Sequence, residues 1–194
     1  MADILKIYFH IRDKMRSSQE LHGFHYHGWM HTKSAYDAVC YLAVLENVDV
    51  DGIEKLKIAM LYHDTGYTTG NEVDHEYKSA EIARQELPSF GVDDCDIYDI
   101  CRLIVSTAPG YRPVGTLEEI MHDADYEYLG RDYYPYVVEL LRKEKGVTDS
   151  VWKEVQIAFL KGHLFLTPSA RLLFDNQKDI NYRKLLIDSQ DDKN

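Results

Sequence analysis

The chain has 194 residues, a net charge of −11 and 45% hydrophobic residues. That length suits one domain with a sizeable core. The acidic balance opposes nonspecific binding to nucleic acid or to anionic membranes, and no apolar run approaches the roughly 20 residues of a membrane helix. An anionic substrate would therefore need a local positive centre.

The N-terminal Met-Ala-Asp-Ile-Leu-Lys lacks the charged-then-apolar order of a signal peptide, so a cytoplasmic protein is expected. Three cysteines, Cys40, Cys95 and Cys101, form no CxxC pair and read as reduced core thiols. In chain order, Ile4, Tyr8, Ile11 and Met15 have the spacing of a first amphipathic helix, which Ser17-Ser18 is expected to break. Residues 19–30 read as a connection rich in histidine and aromatics. A second helix is expected from about Thr32 to Glu46, followed by a turn at Asp49-Val50-Asp51-Gly52.

A third helix runs from about Ile53 into Tyr62-His63-Asp64-Thr65-Gly66-Tyr67, and a loop follows from Thr68 to Val73. Further helices are expected from Asp74 to before Pro88, from Asp93 to Thr107, over 117–129, and near 134–144, 149–163 and 168–187. Thr116 and Glu119 have capping-box spacing, and Pro135 and Pro168 each sit near a helix start. The tail Asp188–Asn194 is expected to fray. With no strand-like alternation, repeat or linker, the fold class is all-α, in a single domain over 1–194.

On a helical wheel Leu56, Met60, His63 and Asp64 share one face, so His63 and Asp64 extend the buried stripe. A buried aspartate needs a partner. Taken alone, the pair is read as a His–Asp hydrogen bond at a helix end before it is read as a ligand pair. His31, at the start of a helix that packs in the same core, shifts the balance. His27 lies four residues earlier, among Tyr26, Trp29 and Met30, which are poor surface residues. In His122-Asp123-Ala124-Asp125, Leu117, Ile120, Met121, Ala124 and Tyr128 define the apolar stripe. Asp125 sits at its edge. Asp123 points almost opposite and is expected to be solvated or to touch the site only through another group.

His31, then His63-Asp64, then Asp125 resembles the HD-domain superfamily of metal-dependent phosphohydrolases, an all-helical family. The flanks extend the likeness: Tyr26-His27-x-x-x-His31, His75-Glu76-x-x-Ser79-Ala80, Asp123-Ala124-Asp125-x-x-x-Leu129-Gly130 and Gly162-His163-x-Phe165-x-Thr167. The last is similar to the C-terminal part of small bacterial HD hydrolases. The resemblance implies that His31, His63, Asp64 and Asp125 bind one divalent ion. Mixed imidazole and carboxylate ligation suits Mn, Fe, Co, Ni or Mg better than a thiolate zinc site. It also implies hydrolysis of a phosphate ester or anhydride, of a nucleotide, by metal-activated water.

Asp64 is expected to orient that water, and His27 to protonate the leaving group. His75 shares a face with Ser79, Ile82 and Ala83, and is expected to bind phosphate or act as an acid–base group, with Lys78 nearby as a phosphate contact. In di-metal relatives a further histidine sits where this chain reads Leu103-Ile104-Val105-Ser106-Thr107, which puts a second ion in doubt. His163 is expected to be a core histidine or to act on the site through another residue. Tyr126, Tyr128, Tyr133, Tyr134 and Tyr136 are expected to pack, and any that face the metal could hold a nucleobase. His10, His22 and His25 have no assigned role. Alternatives are a nucleotide-sensing module without turnover and a di-iron oxygenase. The expected partner is a small-molecule phosphate ester, with neither nucleic acid nor membrane, and a homo-oligomer is left open.

Overall fold

The computed structural model describes residues 3–191, and among these it contains helices and turns with no strand. The first helix, α1 (Ile4–His22), is capped by Asp3, whose side chain accepts from the Lys6 amide at 3.1 Å. Ser17-Ser18 does not break it. Ser18 is buried with Ile7, Ile11 and Met15, and the helix runs on to Gly23 in the left-handed conformation. The helix penalty of serine is only a few tenths of a kcal/mol relative to common helix formers, and packing of the apolar face overrides it.

Helix α2 (Trp29–Leu45) starts three residues earlier than expected, which places His31 in its first turn. The segment 49–52 is a helix start instead of a turn. Asp49 caps α3 (Val50–Tyr62) by accepting from the Gly52 amide at 2.8 Å. From Ile58 to Tyr67 every residue is buried, so the last part of α3 and the start of the 3-10 turn after it (Thr65–Thr69) are enclosed on all sides. Helix α3 packs against α1, α2, α4 (His75–Glu86), α5 (Asp94–Val105) and α6 (Thr116–Asp125), which makes it the axis of the bundle.

Helix α6 ends at Asp125, short of the expected residue 129, and a second 3-10 turn covers Glu127–Gly130. A Cβ at Gly130 would sit 2.7 Å from the Phe174 Cα, so glycine lets this turn rest directly on the last helix. Helices α7 (Tyr134–Lys145), α8 (Asp149–Gly162) and α9 (Pro168–Asp191) complete the chain. Residues 188–191, expected to fray, continue α9, and 192–194 lie outside the described residues. The cysteines are all free, but Cys95 is exposed and so is not a core thiol. No helix among the described residues is long and apolar enough to cross a membrane.

Candidate metal centre and its cleft

His31 from α2, His63 and Asp64 from the end of α3 and Asp125 from the end of α6 meet at one point. The His31 Nε2 lies 3.1 Å from His63 Nε2 and 3.0 Å from Asp125 Oδ1. His63 Nε2 is 3.4 Å from Asp125 Oδ1, and Asp64 Oδ2 is 3.4 Å from both imidazole nitrogens. Three helix ends supply these groups because a helix end lets a side chain leave the core stripe and still be buried. His63 and Asp64 follow the last residue of α3 directly, and Asp125 is the last residue of α6.

The donor set fits a cation. The ligand atoms of His31, His63 and Asp125 lie within 4.8 Å of one another. The Met60 carbonyl can only accept, so His63 Nδ1, 2.8 Å away, carries a proton, and Nε2 is the ring atom turned to the centre. His31 is held from behind by the Tyr26 hydroxyl at 2.7 Å from its Nδ1. Asp64 Oδ2 is buried without a hydrogen-bond partner. A buried carboxylate oxygen facing two imidazole nitrogens has the chemistry of a cation ligand.

The electrostatics agree. Burial lowers the proton affinity of His63, yet Asp64 and Asp125 outweigh it and raise the pKa to about 9. Burial raises the Asp64 and Asp125 carboxyls, but the facing histidines hold both below the usual carboxylate range. Two carboxylates at one buried point thus call for positive charge.

His75 stands at the first residue of α4, beside this cluster. Its Nδ1 lies 3.1 Å from the Glu72 carbonyl, while Nε2 is 3.4 Å from Asp64 Oδ1 and 3.2 Å from Glu76 Oε1. Burial lowers its pKa, but the Asp64 contact and charge raise it overall. Gly66 makes this approach possible. A Cβ there would lie 2.1 Å from the His75 carbonyl oxygen, and the Gly66 amide donates to Ser79 Oγ at 2.7 Å.

His27 is stacked on Tyr67 with centroids 4.2 Å apart, and its ring lies 6.2 Å from that of His75. Its Nδ1 is bonded to Glu144, whose carboxylate also accepts from the Tyr26 and His27 amides at 2.9 and 3.2 Å. Burial raises the Glu144 carboxyl, but the His27 contact and the amides outweigh it, down to about 2. Glu144 is a residue that sequence reasoning missed. It lies 117 positions away from His27, and only the return of α7 brings the two together.

Two expectations need correction. Lys78 does not face the cleft: its Nζ donates to the Asn71 carbonyl at 3.3 Å. The lysine that lines the cleft is Lys145, paired with Glu72 at its rim. Asp123 is not solvated. It is 0% exposed and accepts from the Leu166 and Thr167 amides and the Thr167 hydroxyl at 2.7–2.8 Å, which pins the α8–α9 turn to α6. The wheel correctly opposed it to Asp125, but the far side of α6 is covered by the C-terminal turn.

His163 is a core histidine, buried and stacked on His122 at 5.1 Å, and burial pushes its pKa down to about 3. Tyr126 and Tyr128 line the cleft, whereas Tyr133 and Tyr134 bond to Glu127 and Gln156 and Tyr136 is exposed. The cleft over the centre has a volume of about 660 Å³, room for a small organic ligand.

These features define a class: an all-α protein whose helix ends bring a His/Asp cluster to the floor of an open cleft. The chain belongs to the HD domain family, whose model matches residues 28–128. It is similar in structure to a predicted HD superfamily hydrolase from an uncultured Thermotogales bacterium, with 20% identity and a TM-score of 0.64. That match covers 91% of this chain and 88% of the other. It is also similar to Bacillus subtilis YpgQ, solved in complex with ADP, with 19% identity and a TM-score of 0.68 over 97% and 96% of the two chains. No curated protein matches the sequence.

Proposed function

We propose that the chain is a metal-dependent phosphohydrolase that cleaves a phosphate ester or anhydride of a nucleotide. The observation that carries this reading is the convergence of His31, His63, Asp64 and Asp125, with a partnerless Asp64 oxygen, on the floor of an open cleft. These four residues would hold one divalent ion. Bound there, it polarises a phosphoryl oxygen and acidifies a coordinated water. The ADP complex of the structurally similar YpgQ supports a nucleotide as ligand.

The protein's own groups complete the chemistry. Asp64 Oδ1 accepts from the attacking water and sets its direction. His75, with its raised pKa, donates from Nε2 to the phosphoryl oxygens and offsets their charge. His27 gives a proton from Nε2 to the leaving oxygen, while Glu144 holds Nδ1–H and keeps the ring aimed at the cleft. Lys145 takes the place in the cleft that sequence reasoning gave to Lys78. The di-iron reading loses ground at Thr107, which lines the cleft but turns its hydroxyl onto the Ile104 carbonyl at 2.8 Å.

The test is a screen of the protein reconstituted in turn with Mn, Fe, Co, Ni and Mg. Substrates are nucleoside mono-, di- and triphosphates, cyclic nucleotides and a generic phosphodiester. Turnover that disappears in Asp125→Ala is expected. Tight nucleotide binding without turnover under every metal would replace this reading with a sensing module.

A further inference from the structure

The cleft has two ends of opposite character. The metal-centre end carries Asp64, Asp125, His75 and Lys145. The other end is walled by α8, which presents Trp152, Val155, Gln156 and Phe159 at i, i+3, i+4 and i+7, a single helix face. Val155 is 47% exposed and Trp152 and Phe159 are half-buried, so apolar surface is left open along this wall. The Trp152 indole N–H donates to the Val138 carbonyl at 2.9 Å, which fixes the ring and engages its one polar atom with α7. Phe159 rests on Tyr126 with centroids 5.6 Å apart.

Gln156 is the one polar side chain on that face. It is 4% exposed, and the Tyr134 hydroxyl donates to its Oε1 at 3.0 Å. With the oxygen engaged, the Nε2 protons are the hydrogen-bonding capacity left to a side chain that lines the cleft. A buried amide in an apolar wall is completed by an acceptor.

We infer that the α8 end of the cleft is a nucleobase subsite. A flat heteroaromatic ring lies against Trp152 and Phe159, and a ring nitrogen or carbonyl of the base accepts from Gln156 Nε2. The inference rests on the phosphohydrolase reading and assigns to Trp152, Gln156 and Phe159 the discrimination of a nucleotide from a sugar or alkyl phosphate. The cleft volume of about 660 Å³ holds a base, a sugar and a phosphate together. Aromatic faces supply affinity for any base, and the single amide donor favours bases with an acceptor on the edge that meets α8.

Calorimetric titration of the full chain with AMP, GMP, CMP, UMP and ribose 5-phosphate tests this. At least one nucleotide is expected to bind about tenfold or more tightly than ribose 5-phosphate, the scale of one stacked base. Gln156→Leu should weaken that nucleotide about tenfold and leave ribose 5-phosphate unchanged. Because Gln156→Leu strands the Tyr134 hydroxyl, the double variant Tyr134→Phe/Gln156→Leu, which removes both partners, is measured beside it and should show the same selective loss.

If no nucleotide outbinds ribose 5-phosphate, or if the variants weaken both alike, the subsite is overturned. Hydrolysis of p-nitrophenyl phosphate by the metal-loaded protein separates the two claims. Its presence without base discrimination overturns the subsite alone. Base discrimination with no hydrolysis of p-nitrophenyl phosphate or of any substrate in the screen above, under every metal, overturns the phosphohydrolase reading and upholds the subsite.

Discussion

Asp123 and Asp125 are two residues apart and do opposite work. Asp125 reaches the metal centre; Asp123 ties Leu166 and Thr167 to α6. Asp125→Ala should therefore abolish metal retention, measured by elemental analysis after dialysis, with little change in the melting temperature of the metal-free protein. Asp123→Ala should keep the metal but lose about 3 kcal/mol in a urea melt, because a buried amide, a part-buried amide and a buried hydroxyl lose their acceptor. Equal metal loss in both would mean that the two sides of α6 are not independent. His27 permits a sharper test. A nitrophenolate leaving group needs no proton, so His27→Ala should slow a nucleotide by about 10² to 10⁴ and a nitrophenyl ester much less. Equal slowing of the two would reduce His27 to a packing residue on Tyr67.

Among the elements, the 3-10 turn Thr65–Thr69 positions the site, since it sets α4 against the end of α3 through Gly66. A methyl group at residue 66 cannot coexist with the His75 carbonyl at 2.1 Å. Gly66→Ala should cost about 2 to 3 kcal/mol and displace His75, with activity falling more than metal content. The α1–α3–α4 junction makes a separate, pH-dependent contribution. Glu86, at the end of α4, bonds to His10 at 2.9 Å, Lys14 at 2.5 Å and the Tyr62 hydroxyl at 3.2 Å. Burial raises its carboxyl, but Lys14 and His10 outweigh this and depress it below the ordinary value. A depressed folded-state pKa stabilises fully above the unfolded value near about 4.3, and the contribution is lost as pH falls through the folded value. Glu86→Gln should thus destabilise at pH 7 and have little effect near pH 3. Melts at the two pH values decide this, and a pH-independent loss would show that packing, not charge, governs the junction.

For the molecule as a whole, the centre joins the ends of α2, α3 and α6, so a cation held there ties distant parts of the chain together. A ligand that binds only the folded state at 100 times its Kd adds about 2.7 kcal/mol. Adding a chelator should lower the melting temperature of the metal-loaded protein, and the size of the drop should grow with the metal concentration before chelation. Asp125→Ala should melt identically with and without chelator. A chelator response that survives in Asp125→Ala would locate the stabilising ion elsewhere.

The helical class and the inward placing of His63, Asp64, His75 and Asp125 were legible in the sequence because helical periodicity reports which side chains face inward, whereas His31 joined them through the resemblance of the His31, His63-Asp64, Asp125 order to the HD family. Periodicity also separated Asp125 from Asp123. It could not report what covers the far face of a helix, so the burial of Asp123 under Thr167 was decided by the return of the chain 44 residues later. The same holds for Glu144 behind His27, for Lys145 in the cleft in place of Lys78, and for the α8 wall around Gln156. Each depends on where the last three helices lie against the first six. Local sequence carries the rotation of a side chain about its own helix axis, whereas a contact across 100 residues exists only once burial of the apolar stripes has set the helices against one another.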